Sequence, residues 1–295
     1  MEIESTQDKK TVSLVLGSGG ARGLAHIGVI RWLEANNYDI ASISGCSIGA
    51  LVGGIYAAGK LDDFEQWVRS ITRMDMVTLL DLSWGNKGLV KGEKIIRTLV
   101  NLVGEKCIED LPIPFTAVAA DVKKEKEIWI QSGCLFDAIR ASISLPLIFT
   151  PFPYNGVDLI DGGVLNPVPI APTFGDQTDM TIAVNLGGPV ELLIKEPEPL
   201  PQDNGDESPM KSTINRFVNR LKRSVKTSGV QDWSVYDIAN QAFDAMQSTI
   251  ARQKLAAYPP DKIIEIPRNA CGMLEFDRAE AMIDLGFNKA QAILG

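Results

Sequence analysis

The opening of this chain runs twice through strand, glycine turn and helix, and few architectures accept that pattern. "TVSLVLG" (Thr11–Gly17) is a short apolar run rich in β-branched residues and ended by glycine, which reads as a buried strand. In "ARGLAHIGVIRWLEANN" the apolar residues Leu24, Ile27, Ile30, Trp32 and Leu33 recur at roughly helical spacing, and an Asn pair ends the run. "IASISG" is then a second strand and "GALVGGIYAAG" a second helix, built from small residues. Two such units in succession favour a parallel sheet with helices on its faces. Further strands are expected at Phe115–Asp121, Glu127–Ile130 and Met180–Gly187, and "CLFDAIRASIS" as a helix closed by Leu145-Pro146. Toward the C-terminus the sequence predicts a helix near Tyr236–Tyr258, a strand at "KIIEI" and a closing helix at "DRAEAMIDLGFNKAQAIL". The expected class is α/β: a central, mostly parallel sheet flanked by helices, with a helical C-terminal extension.

Composition sets the outer limits. A chain of 295 residues that is 45% hydrophobic and 22% charged can bury a large core in one or two domains. A formal net charge of −8 argues against nucleic acid as a partner, because a phosphate-binding face is normally basic. Cys46, Cys107, Cys134 and Cys271 are widely separated, with no CxxC and no histidine cluster, so reduced thiols in a cytosolic-type compartment and no metal site are expected. "MEIESTQDKKT" lacks the layout of a signal peptide. No apolar run approaches the roughly 20 residues that span a bilayer, so a soluble or peripheral protein is expected.

The character of the chain changes at Glu191–Pro209, which is acidic and proline-rich and reads as a linker or mobile loop over 191–212. "TINRFVNRLKRSVK" (Thr213–Lys226) follows, with five basic residues, no acidic ones, and apolar side chains at Phe217, Val218, Leu221 and Val225. It has two readings: contact with an anionic membrane surface, or a helix packed on the core with its charges solvated. The acidic stretch beside it weakens the first. The expected organisation is a tail over 1–10, a main domain over 11–190, the linker, and C-terminal helices and a strand over 213–295 packed on that domain.

At the end of the second strand stands "GCSIG" (Gly45–Gly49), with G-x-S-x-G spacing. A serine hydroxyl is a weak nucleophile and needs exposure, a base, and donors for a developing oxyanion. A sharp strand-to-helix turn would expose Ser47, with Gly45 and Gly49 leaving room for it and a helix N-terminus behind it. Alone, the motif reads equally as a tight turn in which Ser47 caps a helix. In the first turn, "LGSGGARGLAH", Gly17, Gly19, Gly20 and Gly23 let backbone N–H groups converge on an anion. As a dinucleotide loop it fails: counted from Gly17, Arg22 stands where the third glycine belongs, and no acidic residue ends the next strand for a ribose. An oxyanion cradle fits better, and no cofactor is expected.

The base is harder to place. The sole histidine, His26, lies within the first helix on the stripe of Val29, Ile30 and Leu33, as a packing residue would. Ala50 occupies the place of the lysine in an S-x-x-K pattern. Carboxylates remain. Asp161, in "NGVDLIDGGVLNPVP", ends an apolar stretch and precedes Gly162-Gly163. In isolation such a D-G-G is a turn closing a hairpin.

Taken together, Gly19-Gly20-Ala21-Arg22-Gly23, Gly45-Cys46-Ser47-Ile48-Gly49 and Asp161-Gly162-Gly163 resemble the glycine-rich loop, serine elbow and D-G-A/G segment of the patatin-like phospholipase family. "GLVKGEKI", "IRASISLPLIFTPF" and "FDRAEAMIDLGF" are similar to bacterial members as well. The resemblance implies a three-layer α/β/α fold with 11–190 as the catalytic domain. It implies a Ser47–Asp161 dyad, oxyanion donors on Gly19, Gly20, Ala21 and Arg22, and turns shaped by Gly45, Gly49, Gly162 and Gly163. No cofactor or metal is implied. The implied substrate is an acyl lipid, a phospholipid or lysophospholipid; the thiols point to a cytoplasmic protein, and the stripe Thr213–Lys226 is its candidate peripheral contact with the inner membrane surface. Ser18 departs from the glycine many members carry. Arg22 is open to two roles, attracting an anionic head group or shaping the loop, and Cys46 is expected to point elsewhere as a structural residue. Two other functions stay open: a soluble acyl esterase or thioesterase using the same dyad, and a regulatory binding module with a vestigial site.

Overall fold

The sheet has a parallel centre and an antiparallel flank. The computed structural model describes residues 9–79, 90–191 and 235–295. In chain order the elements are β1 (Lys10–Leu16), α1 (Ala25–Ala35), β2 (Tyr38–Cys46), α2 (Ile48–Ala57), α3 (Leu61–Ser70), α4 (Arg73–Leu79) and α5 (Glu93–Val103). They continue with β3 (Phe115–Asp121), β4 (Lys126–Ile130), α6 (Leu135–Ser142), β5 (Phe152–Tyr154), β6 (Val157–Asp161), β7 (Met180–Gly188), α7 (Val235–Ala257), β8 (Lys262–Pro267) and α8 (Ala279–Leu294). Strand order is β5-β6-β3-β2-β1-β7-β8, with β4 also on β3. The run β3-β2-β1-β7-β8 is parallel, and β4, β5 and β6 join antiparallel.

Alternation along β1 sorts the layers. Val12, Leu14 and Leu16 face the main core with α1, α2 and α8. Val15 faces the other way, into a smaller cluster with Val168, Ile170, Ala183, Ala251 and Leu255, which puts α7 on the opposite side. Helices therefore cover both faces. On the main face α1 and α8 cross with their backbones almost touching: a Cβ on Gly28 would stand 1.9 Å from the Ile283 carbonyl, and one on Gly286 1.9 Å from that of Ala25.

The two opening strand–helix units, β3, β4, β7, β8 and the closing helix lie where the sequence predicts them. The C-terminal segment goes further than an extension packed outside, because β8 is an edge strand of the same sheet, parallel to β7. The helix read from "CLFDAIRASIS" stops at Ser142, before Leu145-Pro146. Helices α3, α4 and α5 and the strands β5 and β6 are additions to the sequence reading. By contacts, residues 1–191 with 243–295 form one unit and 192–242 a second, of which only 235–242, the start of α7, is described. The acidic, proline-rich stretch beyond Glu191 and the basic stripe Thr213–Lys226 lie outside the described residues. Among those described, no helix is long and apolar enough to cross a membrane.

Candidate active site

Register explains how Ser47 and Asp161 meet. Residues of β3 between Ala117 and Asp121 pair with β4 along one edge, so β2 and β6 share the other. β2 occupies that edge up to Cys46 opposite Val118, and β6 takes over with Asp161 opposite Ala119. At the changeover the chain of β2 leaves the sheet, and Ser47 is the first residue out. Its backbone sits at φ 55°, ψ −122°, a left-handed conformation rare for a residue with a Cβ, and α2 begins directly behind it. Ser47 Oγ donates to Asp161 Oδ2 at 2.5 Å.

Handing over an edge leaves backbone groups without ladder partners, and buried groups of that kind need substitutes. One side chain supplies them. The Ser142 hydroxyl, at the last turn of α6, accepts the Ser47 N–H at 2.9 Å and donates to the Val118 carbonyl at 2.6 Å. Sequence reading passed over Ser142, because nothing in "RASIS" marks one serine above the other. Gly45 lies one residue before the end of β2, and Gly49 is the second residue of α2. At Gly49, α2 runs so close to the end of β1 that a Cβ would lie 2.1 Å from the Leu16 carbonyl. Gly162 and Gly163 form the turn after β6, and the Gly163 N–H donates to Asp161 Oδ1 at 2.7 Å.

Asp161 is fully buried. Burial pushes its carboxyl up from the ordinary 3.8 to about 6, against the opposing pull of the bonds from Ser47 and Gly163. Near neutral pH the group is mostly ionised and far more basic than a free aspartate. Cys46 does not point away from the site: its thiol stands 4.0 Å from Asp161 Oδ1. Burial first, then the charge of Asp161, raises that thiol well above its usual range, so it stays protonated beside the carboxylate.

The glycine turn after β1 is folded as a 3-10 turn, Gly20–Leu24. Its predicted donor set narrows. The Ala21 N–H is taken by the Met273 carbonyl at 2.8 Å, which removes it from the set. Arg22 lies inside the turn, where 3-10 geometry directs its amide at the carbonyl three residues back. The Gly19 and Gly20 amides donate to no protein acceptor among the described residues. The Arg22 side chain is buried, donating to the Arg268 carbonyl at 2.7 Å and pairing with Asp244 at 3.0 Å. Its charge is committed to holding the loop, which leaves little for a head group. Ser18, the departure from the family pattern, has a partner too: Gln247 of α7 donates to its hydroxyl at 3.1 Å. His26 is fully buried and bonded to the Gly17 carbonyl at 2.9 Å, its basicity lowered to about 4 chiefly by burial. It packs beneath the turn and offers no base at neutral pH.

A partly open cleft leads to Ser47. Apart from the serine its walls are apolar, with Leu51, Phe64, Val68, Met76, Ile148 and Phe149 among them. Helices α3 and α4, absent from the sequence reading, thus supply one wall. Such a space excludes charged ligands and suits a hydrocarbon chain.

The profile of the patatin-like phospholipase family matches residues 14–174. An uncharacterized NTE family protein of Mycobacterium bovis is 38% identical over 93% of this chain and 89% of its own. A lysophospholipase NTE1 of Pyricularia oryzae is 29% identical over 94% of this chain but 18% of its own length. Among solved structures, VipD from Legionella pneumophila covers 99% of this chain and 69% of its own, at 14% identity and a TM-score of 0.46. With a profile spanning more than half its length and a relative aligned over nearly all of it, the chain belongs to the patatin-like phospholipase family of lipid hydrolases.

Proposed function

We propose that this protein is a serine acyl hydrolase that cleaves the carboxylic ester of a phospholipid or lysophospholipid through a Ser47–Asp161 dyad and an acyl-enzyme. The observation that carries the reading is the 2.5 Å bond between a buried carboxylate and a serine held at an elbow, at the end of an apolar cleft. The acyl chain lies in the cleft and the ester carbonyl reaches Ser47. Asp161 takes the hydroxyl proton as Ser47 Oγ attacks the carbonyl carbon. The Gly19 and Gly20 amides receive the oxyanion, such donors contributing about 10²–10³-fold each. Collapse of the tetrahedral adduct breaks the bond to the alcohol, which leaves with the proton held by Asp161. Water then enters, gives its proton to Asp161 and attacks the acyl-serine, and the proton returns to Ser47 as the fatty acid departs. A base near pH 6 suits both directions of transfer better than a free aspartate.

The thiols favour the cytoplasm for this protein, and Thr213–Lys226 is its candidate contact with an anionic bilayer, against the alternative of a helix packed on the core. Vesicle pelleting with and without residues 191–230 tests that part: equal binding to anionic vesicles removes it. The central test is labelling with a fluorophosphonate, followed by peptide mapping and hydrolysis assays on lysophospholipid and on short water-soluble esters. Modification at Ser47, lost in Ser47→Ala together with lipid hydrolysis, is expected. Labelling elsewhere, or a Ser47→Ala enzyme with full activity, refutes the dyad. Activity on short esters alone would select a soluble esterase.

A further inference from the structure

Cys107 and Cys134 take no part in the site, and the sequence keeps them well apart. In the fold they stand opposite each other as an isolated antiparallel bridge. The flanking bonds define its type: Ile108 N–H to the Gly133 carbonyl at 2.9 Å, and Leu135 N–H to the Lys106 carbonyl at 2.9 Å. The two cysteines therefore exchange no backbone bond with each other and occupy the narrow position of the ladder, where facing Cα atoms approach to about 4.5 Å. That falls within the span of about 4.4–6.8 Å that a disulfide bridges. A third tie fixes the geometry, because the Gly133 N–H donates to Glu109 Oε2 at 2.7 Å. Both cysteines are exposed, whereas Cys46 and Cys271 are buried.

We propose that Cys107 and Cys134 form a modification site, a dithiol that closes to an intramolecular disulfide. The oxidant is a low-molecular-weight disulfide such as oxidised glutathione. The thiolate of one cysteine attacks it, forming a mixed disulfide and releasing one glutathione thiolate. The thiolate of the second cysteine attacks the protein sulfur of that mixed disulfide, forming the Cys107–Cys134 bond and releasing the other. The two cysteines give up two electrons and two protons; the glutathione disulfide accepts both electrons and its thiolates take the protons. The new bond fastens Cys134, the residue preceding α6, to the turn at Ile108–Asp110. Helix α6 ends in Ser142, so the staple holds the element that supports the Ser47 elbow.

The test uses the full chain treated with excess oxidised glutathione, then alkylated under denaturing conditions and weighed. Two of its four thiols should escape alkylation, the mass before alkylation should fall by about 2 Da with no glutathione retained, and a non-reducing peptide map should join the two segments. Cys107→Ser should instead trap a glutathione on Cys134, and Cys134→Ser one on Cys107. The oxidised wild type should melt several degrees higher, the scale expected for closing a loop of about 28 residues, and neither serine variant should show the rise. Persistent glutathione on both cysteines of the wild type, disulfide-linked dimers without the internal link, or retention of all four thiols would each overturn the proposal.

Discussion

Asp161→Asn should lower activity sharply and at the same time stabilise the protein, and the size of the gain can be worked from the site. The carboxyl is fully buried and titrates at about 6 when folded, against 3.8 ordinarily. A folded value above the unfolded one means the native state prefers the protonated form. The preference costs nothing below pH 3.8, where both states are protonated, and its full weight falls on the native state above pH 6. At about 1.36 kcal/mol per pKa unit, the interval amounts to roughly 3 kcal/mol of lost stability at pH 8. Asparagine keeps the shape and removes the charge. Its carbonyl can accept the Gly163 N–H, and its amide can donate to Ser47 Oγ, which turns from donor to acceptor. Urea unfolding of wild type and variant at pH 8 should show the variant more stable by up to about 3 kcal/mol, and near pH 4 the difference should shrink toward zero. Lipid hydrolysis should fall about 10²–10⁴-fold, the usual contribution of a general base. A variant no more stable than wild type at pH 8, or equally favoured at both pH values, would refute the account of a buried charge held against its solvation.

Three further outcomes follow from neighbouring residues. His26 is depressed from 6.5 to about 4, so the unfolded chain binds its proton first and stability is lost as pH falls from 6.5 to 4; the loss is on the order of 3 kcal/mol. His26→Gln, which keeps a donor for the Gly17 carbonyl, should flatten that loss in unfolding titrations while hydrolysis stays within a few-fold; since Asp161 pulls the other way between pH 3.8 and 6, Asp161→Asn should be the more acid-sensitive protein. Gly49→Ala puts a methyl 2.1 Å from the Leu16 carbonyl, backbone against backbone, and should cost more than about 3 kcal/mol by thermal melt or prevent folding outright. Gln247→Ala should lower kcat about tenfold with KM little changed, by freeing Ser18 and the glycine turn; in the Ser18→Gly background the same change should cost almost nothing, because the two residues act through one bond.

The parts of the site legible in the sequence are those whose signal is local. Strand, glycine turn and helix follow each other within a few residues, so the elbow at Ser47 and the loop at Gly19–Gly20 were readable from period and turn chemistry. Asp161 was readable only through its family resemblance, since its role depends on a register, Cys46 opposite Val118 and Asp161 opposite Ala119, that no local pattern encodes. Ser142 and Gln247 were invisible for the same reason: a serine at a helix end and a glutamine on a helix face look alike wherever they occur. The donor set was read too broadly because the partner that takes the Ala21 amide, the Met273 carbonyl, is far along the chain. Helices α3 and α5 carry clear amphipathic spacing, as in Leu61, Phe64 and Val68, and that signal was available. Cys107 and Cys134 read as unrelated thiols until the fold set them face to face.

The crossing of Gly28 and Gly286 imposes an order of events on biosynthesis. Helix α1 is covered only once α8 has been made, so while everything between them is synthesised its groove stays wet and available to strangers, and β7 shows an open edge until β8 emerges. A ribosome stalled anywhere before Ala279 therefore holds a polymer that cannot close, even with Ser47 and Asp161 already in the chain, and such nascent chains should depend on chaperones until α8 emerges.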